Sequence, residues 1–210
     1  MIDRPLLSGP RNRRFSDFLL FGVTAVELAI LVLMTPTFTV TDWIYVSQHL
    51  IVLAIAMTRA APAAQDRSLA TGIAVAVSYG YPYAQVIYLR WVPGELAWPE
   101  GGFVLVTLAA CLSAASLISL GQRFGVRPAL RGLTDKGPYA LVRHPMYLSY
   151  LLADIGYNLH EWNSGTALMV VIGWASLIYR IRAEERILSL DAGWPTYAGR
   201  VRWRLLPGIW

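Results

Sequence analysis

Leu-Thr-Asp-Lys-Gly-Pro-Tyr-Ala-Leu-Val-Arg-His-Pro-Met-Tyr, residues Leu133–Tyr147, is a polar, basic stretch punctuated by Gly and Pro and set between two apolar runs. Pro145 suits the first position of a helix, where its missing N–H costs nothing. The apolar run Met146–Leu159 is then that helix, with His144 at its cap and Arg143 beside it. A helix start offers unpaired N–H groups and a partial positive charge, so this point can hold an anionic ligand group.

Reading outward, the polar connection Gln122–His144 follows the apolar run Phe103–Leu120. The small residues Ala109, Ala110, Ser113, Ala114 and Ser116 in that run allow close helix packing. Beyond Leu159 comes one more apolar run, Thr166–Ile181. Toward the N-terminus lie Phe18–Met34, Trp43–Met57 and Leu69–Leu89, each close to the roughly 20 residues that cross a bilayer. The last of these holds Tyr79, Tyr81, Pro82, Tyr83 and Gln85, which predicts a kinked, partly polar span. Met146–Leu159 is short for a span and needs tilt or local thinning.

Composition agrees with a membrane protein. The chain has 210 residues, of which 56% are hydrophobic and only 15% charged; a soluble domain has roughly 25% charged. The expected fold is all-α: a polytopic bundle of about six spans forming a single membrane domain over residues 1–210. Four N-terminal spans reach residue 120, and residues 121–210 form a C-terminal region carrying the chemistry. The first fifteen residues are polar and basic and precede an apolar run long enough to span, which predicts a short tail and no cleavable signal peptide. Thr35–Thr41 reads as a short polar loop. Residues 182–210 read as a cytoplasmic helix followed by an irregular tail lying near the interface. The lone cysteine, Cys111, excludes an intrachain disulfide and reads as a reduced packing residue.

The basic residues orient the bundle. With the N-terminus and C-terminus both cytoplasmic, seventeen of the eighteen Lys and Arg residues fall inside, and only Arg90 falls outside. Basic residues retained on the cytoplasmic side account for the net charge of +5, so it is not a nucleic-acid signature.

Two polar clusters share that inner side. One is Lys136–Tyr147. The other is Arg-Ile-Arg-Ala-Glu-Glu-Arg, residues 180–186, followed by Trp194, Tyr197 and Arg200. Arg180 and Glu184 are four apart and share a helix face; Arg182 and Glu185 are three apart and share another. On its own the second cluster reads as a solvated helix end with paired charges.

Together the clusters resemble the isoprenylcysteine carboxyl methyltransferase family. The resemblance rests on Gly137-Pro138-Tyr139, on Arg143-His144-Pro145-x-Tyr147, on Glu184-Glu185-x-x-Leu188, on Tyr197 and on Arg200-Val201 before Pro207. Ser119–Arg131, ahead of the motif, is similar too, and the related membrane phospholipid methyltransferases share much of the pattern. Asp191-Ala-Gly-Trp-Pro-Thr stands where many members have a Phe-Gly turn, with Gly193 expected to supply that turn.

The resemblance implies methyl transfer from S-adenosylmethionine to a lipophilic acceptor entering from the bilayer, an isoprenylcysteine-like carboxylate or a phospholipid amine among the possibilities. It implies a cofactor site facing the cytoplasm, lined by Tyr139, Arg143, His144, Pro145, Tyr147, Glu184 and Glu185 and closed by Tyr197. Arg180 and Glu184 would be the catalytic pair. The cofactor's chemistry fits these residue types. A glutamate suits its ammonium or ribose hydroxyls, and tyrosine faces suit its sulfonium or adenine. Arg180 could orient a carboxylate acceptor, or Glu184 could take the proton of an amine or thiol.

Two other readings compete. Membrane sterol-type reductases carry a similar tract and use NADPH, and a non-catalytic membrane partner protein could keep the fold. No His, Cys and carboxylate cluster has metal-ligand spacing. No glycine-rich nucleotide loop follows a strand, which excludes a soluble Rossmann-type methyltransferase. Glu27 and Asp154, acids inside apolar runs, are functional candidates or interhelical hydrogen-bonding groups. Tyr79, Tyr81 and Gln85 line an acceptor path or form a packed polar patch. His49 and His160 read as ordinary polar or interfacial residues.

Overall fold

The computed structural model describes residues 13–34 and 40–210. The expected N-terminal tail therefore lies outside the described residues, apart from its last three positions, and so does most of the loop expected over 35–41. Six apolar helices occupy the six predicted runs: α1 (Arg13–Met34), α2 (Val40–Thr58), α3 (Leu69–Trp91), α4 (Pro99–Leu120), α5 (Pro145–His160) and α6 (Ser164–Leu188). A short α7 (Trp194–Arg200) follows. Two segments, Pro99–Arg123 and Ser164–Leu188, are long and apolar enough to cross a membrane by themselves. The 16 residues of α5 measure about 24 Å, less than a typical hydrocarbon core.

Local chemistry sets the helix ends. Ser68 accepts from the Thr71 N–H at 3.2 Å and caps α3. Asn163 accepts from the Gly165 N–H at 2.8 Å and caps α6. Pro99 and Pro145 open α4 and α5, and Gly121, with φ of +48°, ends α4.

Two short antiparallel bridges clip the connections together. β1 (Ala64–Gln65) pairs with β3 (Ala129–Leu130), and β2 (Glu95–Leu96) pairs with β4 (Glu161–Trp162). They sort the connections into two ends. The α2–α3 and α4–α5 connections share one end, and the α3–α4 and α5–α6 connections share the other. Helices α3 to α6 therefore run alternately up and down.

The packing does not follow chain order. It runs α1–α2–α4–α5–α6–α3. Tyr83 on α3 hydrogen bonds Glu27 on α1 and joins the two ends of that series. Polar groups hold α3 against its late partners. Tyr81 Oη donates to Asp154 Oδ2 at 2.6 Å, Trp174 Nε1 donates to the same oxygen at 2.8 Å, and Gln85 Nε2 donates to the Thr166 carbonyl at 3.3 Å. Glu27 and Asp154 thus act as interhelical hydrogen-bonding groups.

The closest approach is between α4 and α5. A Cβ on Gly102 would sit 2.6 Å from both the Gly156 carbonyl oxygen and the His160 nitrogen, and one on Gly156 would sit 2.9 Å from the Gly102 carbonyl oxygen. These obstacles are backbone and cannot swing away. Gly102→Ala is expected to cost about 3 kcal/mol and to lower the melting midpoint in detergent. Gly80→Ala, with nothing within 4 Å of its Cβ, should leave the midpoint unchanged.

The structure corrects two expectations here. No separate helix begins at residue 182. Ile181, Ala183 and Ile187 are buried, so the inward stripe of α6 continues through the charged segment and the helix runs on to Leu188. Cys111 is exposed, on the face of α4 away from its buried stripe through Val106, Ala109, Ala110, Ser113 and Leu117. It therefore lies outside the buried stripe that packs the bundle.

Candidate active site

A cavity of about 520 Å³ lies where α3, α5 and α6 meet the 121–131 connection. Part of that space is continuous with solvent. Tyr139, His144, Tyr147, Arg180 and Glu184, all singled out from the sequence, line it together. Arg143, Pro145, Glu185 and Tyr197 stand behind this lining.

Arg180 is the deepest charged group, 3% exposed. Its Nη1 donates to Ser78 Oγ on α3 at 2.7 Å, and its Nη2 donates to the Val126 carbonyl at 2.9 Å. Its guanidinium carbon is 5.2 Å from the ring centres of both Tyr79 and Tyr147, within cation–π range. Its Nε is buried without a partner. Glu184, one helical turn on, accepts from Tyr147 Oη at 2.9 Å. The cavity floor therefore carries a cation, an anion and two aromatic faces within a few ångströms. Tyr139 is buried beside them, and burial with the Glu184 charge raises its phenol well above the ordinary range. It stays protonated.

Glu185 faces a different set. Oε1 receives Arg143 Nη1 at 2.8 Å and His144 Nε2 at 3.3 Å, and Oε2 receives Arg204 Nε at 2.7 Å. A carboxylate only accepts, so His144 donates from Nε2, and its ring provides no side-chain cap to α5. Backbone bonds run alongside: Arg143 N–H to the Trp203 carbonyl and His144 N–H to the Arg204 carbonyl, both at 2.9 Å. This knot ties α6, the start of α5 and the C-terminal segment into one block. The predicted Arg182–Glu185 pairing is replaced by it, and Arg182 points outward, exposed. Tyr197 braces the block from α7. Its Oη donates to the Tyr139 carbonyl at 3.1 Å, and burial raises its own phenol to about 12. Gly193 lies in the expected turn, closed by the Trp194 N–H donating to the Asp191 carbonyl at 3.0 Å and braced by Asp191 Oδ1, which accepts the Gly193 N–H at 2.9 Å; with φ of −78° it then leads into α7.

Four polar lining residues had no assigned role from the sequence: Tyr150 and the arginines Arg123, Arg127 and Arg131. The arginines recur every four residues in the connection, a pattern visible in the sequence but read there only as charge retained on the inner side. Of the polar residues on α3, Tyr79 lines the cavity, while Tyr81 and Gln85 are spent on interhelical bonds. His49 and His160 each hydrogen bond a backbone carbonyl, and among the described residues no group of His, Cys and acids could hold a metal.

A second cavity of about 340 Å³ opens on the other side of Tyr147, between α5, α6 and the C-terminal residues Leu205 and Trp210. Leu151, Leu177, Ile178 and Ile181 make it apolar. Tyr147 is the wall between an ionic chamber and a greasy one.

A comparison with curated proteins finds no match. The model of the isoprenylcysteine carboxyl methyltransferase (ICMT) family matches residues 102–190, which include α5, α6, the 121–131 arginines and every residue named above as lining the first cavity except Tyr79. Residues 102–190, which carry most of the cavity lining, are thus similar to the isoprenylcysteine carboxyl methyltransferase family, a family of methyltransferases.

Proposed function

We propose that the protein transfers a methyl group from S-adenosylmethionine to a lipophilic acceptor, in the cavity between α3, α5, α6 and the 121–131 connection. The observation that carries this reading is the convergence of Tyr139, His144, Tyr147, Arg180 and Glu184 on one chamber that shares a wall with an apolar one. The donor set matches the cofactor's groups. Glu184 suits its ammonium or ribose hydroxyls and the tyrosine faces suit the sulfonium, while the buried, unpartnered Nε of Arg180 is left for an anionic acceptor.

When bound, S-adenosylmethionine supplies a methyl group on a positively charged sulfur, open to displacement. The chain's own residues bind and align. Arg180, held rigidly by Ser78 and Val126, orients an anionic acceptor. Glu184 is placed to accept a proton where the acceptor is a thiol or an amine. Alignment alone can supply much of the rate of such a displacement. The apolar chamber takes the acceptor's hydrocarbon part, reached from the bilayer between α5 and α6. The arginine-rich end of the bundle is the cytoplasmic end by the bias of basic residues, which supports a cofactor site facing the cytoplasm.

Calorimetric titration of the detergent-solubilised protein with S-adenosylmethionine, with NADPH in parallel, tests the reading. Binding of S-adenosylmethionine alone is the expected result; binding of NADPH alone would replace it with a reductase. Glu184→Gln is expected to weaken S-adenosylmethionine about 10- to 100-fold, the value of a charge-assisted hydrogen bond. Wild-type affinity in that variant would remove Glu184 from the cofactor site.

A further inference from the structure

A second polar cluster lies away from the cavity. Glu27 on α1, His49 on α2 and Tyr83 on α3 meet within three apolar helices read from the sequence as spans. Tyr83 Oη donates to Glu27 Oε1. His49 Nε2 faces the other carboxylate oxygen, Oε2, at 3.7 Å, and the two side chains are 22% and 23% exposed. Among the described residues no Lys or Arg pairs with Glu27.

The partners of His49 fix its protons. Nδ1 lies 2.7 Å from the Tyr45 carbonyl oxygen. A carbonyl only accepts, so Nδ1 carries a proton and donates it. In a neutral imidazole Nε2 is then a bare acceptor. Turned toward an ionised carboxylate, it sets acceptor against acceptor and leaves an unbalanced charge among apolar helices, where ionisable groups pair or stay neutral. One further proton removes both faults. On Nε2 it makes an imidazolium–carboxylate pair, and on Oε2 it makes a neutral acid beside a neutral ring. Both forms carry no net charge. The surrounding elements do not replace that proton. From α3, Tyr83 already gives its own to Oε1, and Tyr79 stands beside Tyr83. From α5, the Tyr150 phenol senses the Glu27 charge. The cation of α6, Arg180, is stacked on Tyr79 and bonded to Ser78 and Val126. Helix α4 meets α2 through the Ala110 carbonyl, which accepts from Gln48 Nε2 at 2.7 Å.

The same carboxylate closes the bundle, because Tyr83 and Glu27 join the two ends of the packing series. Tyr79 is one turn from Tyr83 on the same face of α3, lines the cavity and meets Arg180. We propose that Glu27 and His49 form a proton-binding site that holds α1 and α2 together against α3, so that closure of the bundle responds to pH. Without the shared proton Nε2 and Oε2 repel, and the α1–α2 side of the closure loosens.

Nitrogen NMR of the full chain in detergent, isotope-labelled at histidine, tests the site. The chain has 3 histidines, and His49→Gln identifies the signals of His49. Nδ1 is expected to stay protonated while Nε2 titrates, and Glu27→Gln should displace that titration by at least about one pH unit, the influence of a charge at this range. If Glu27→Gln does not fold, Tyr83→Phe, which takes one donor from the carboxylate, should displace it by about one pH unit as well. Hydrogen exchange along α1, taken relative to α6 at the same pH, should quicken at least threefold once the proton is lost in wild type and stay level in Glu27→Gln. A bare Nδ1 on His49, or a titration that neither variant moves, overturns the proton site. Level exchange in wild type overturns the latch. None of these readouts needs S-adenosylmethionine, so their failure and that of the transferase reading are separate.

Discussion

Arg180→Lys is expected to lower methyl transfer to extracted membrane lipids by at least about 100-fold, the loss that follows removal of one preorganised donor at a reacting centre. S-adenosylmethionine affinity should stay within a few-fold of wild type. Lysine keeps the charge, so the bundle retains a buried cation. It cannot span Ser78 Oγ and the Val126 carbonyl with a planar fork, nor lie flat between the rings of Tyr79 and Tyr147. The cation is kept and its aim is lost. Transfer of labelled methyl, measured beside calorimetric binding on the same preparation, separates the two effects. Unchanged transfer would make Arg180 a brace between α3 and the connection above it.

Glu185→Ala should act on stability first. Its carboxylate is 11% exposed and holds Arg143, itself 10% exposed, together with His144 and Arg204. Deleting one member of a buried ionic group leaves the others uncompensated, at about 3 kcal/mol or more. Arg204 is 34% exposed, so water recovers part of its loss, and the lower end of that range applies. The expected result is a clear fall in the melting midpoint in detergent, with protease cutting appearing after Val201. An unchanged midpoint would mean that the backbone bonds from residues 143 and 144 to 203 and 204 hold the tail unaided.

These two glutamates also mark where sequence reading succeeds and where it stops. Glu184 reaches the cavity as one-turn spacing from Arg180 suggests. Glu185 pairs by the same local logic with Arg182, yet its partners are Arg143, His144 and Arg204, 41 residues away in the case of His144 and 19 in that of Arg204. Helical periodicity says which face a side chain is on, and it is silent about what the chain brings to that face. The six helices were legible because each is a mostly apolar run of near-span length, and Ser68, Pro99, Gly121, Pro145 and Asn163 mark several of their ends. The bridges between connections were not, since two-residue strands carry no alternation to read. Arg123, Arg127 and Arg131 were visible only as charge retained on the inner side, because local spacing does not say that the connection folds against α3 and α6 to line a cavity.

The packing order also makes the chain's own synthesis a hazard. Ser78, Tyr81 and Gln85 find their partners 102, 73 and 81 residues later. At about 5 to 20 residues per second, a ribosome leaves Ser78 waiting roughly 5 to 20 s for Arg180. Through that interval α3 is a helix with hydroxyl and amide groups and no finished neighbour to receive them. A transcript cut short before α6 would release this half-satisfied helix to cellular quality control, so the sixth helix completes a surface that the third has been holding open.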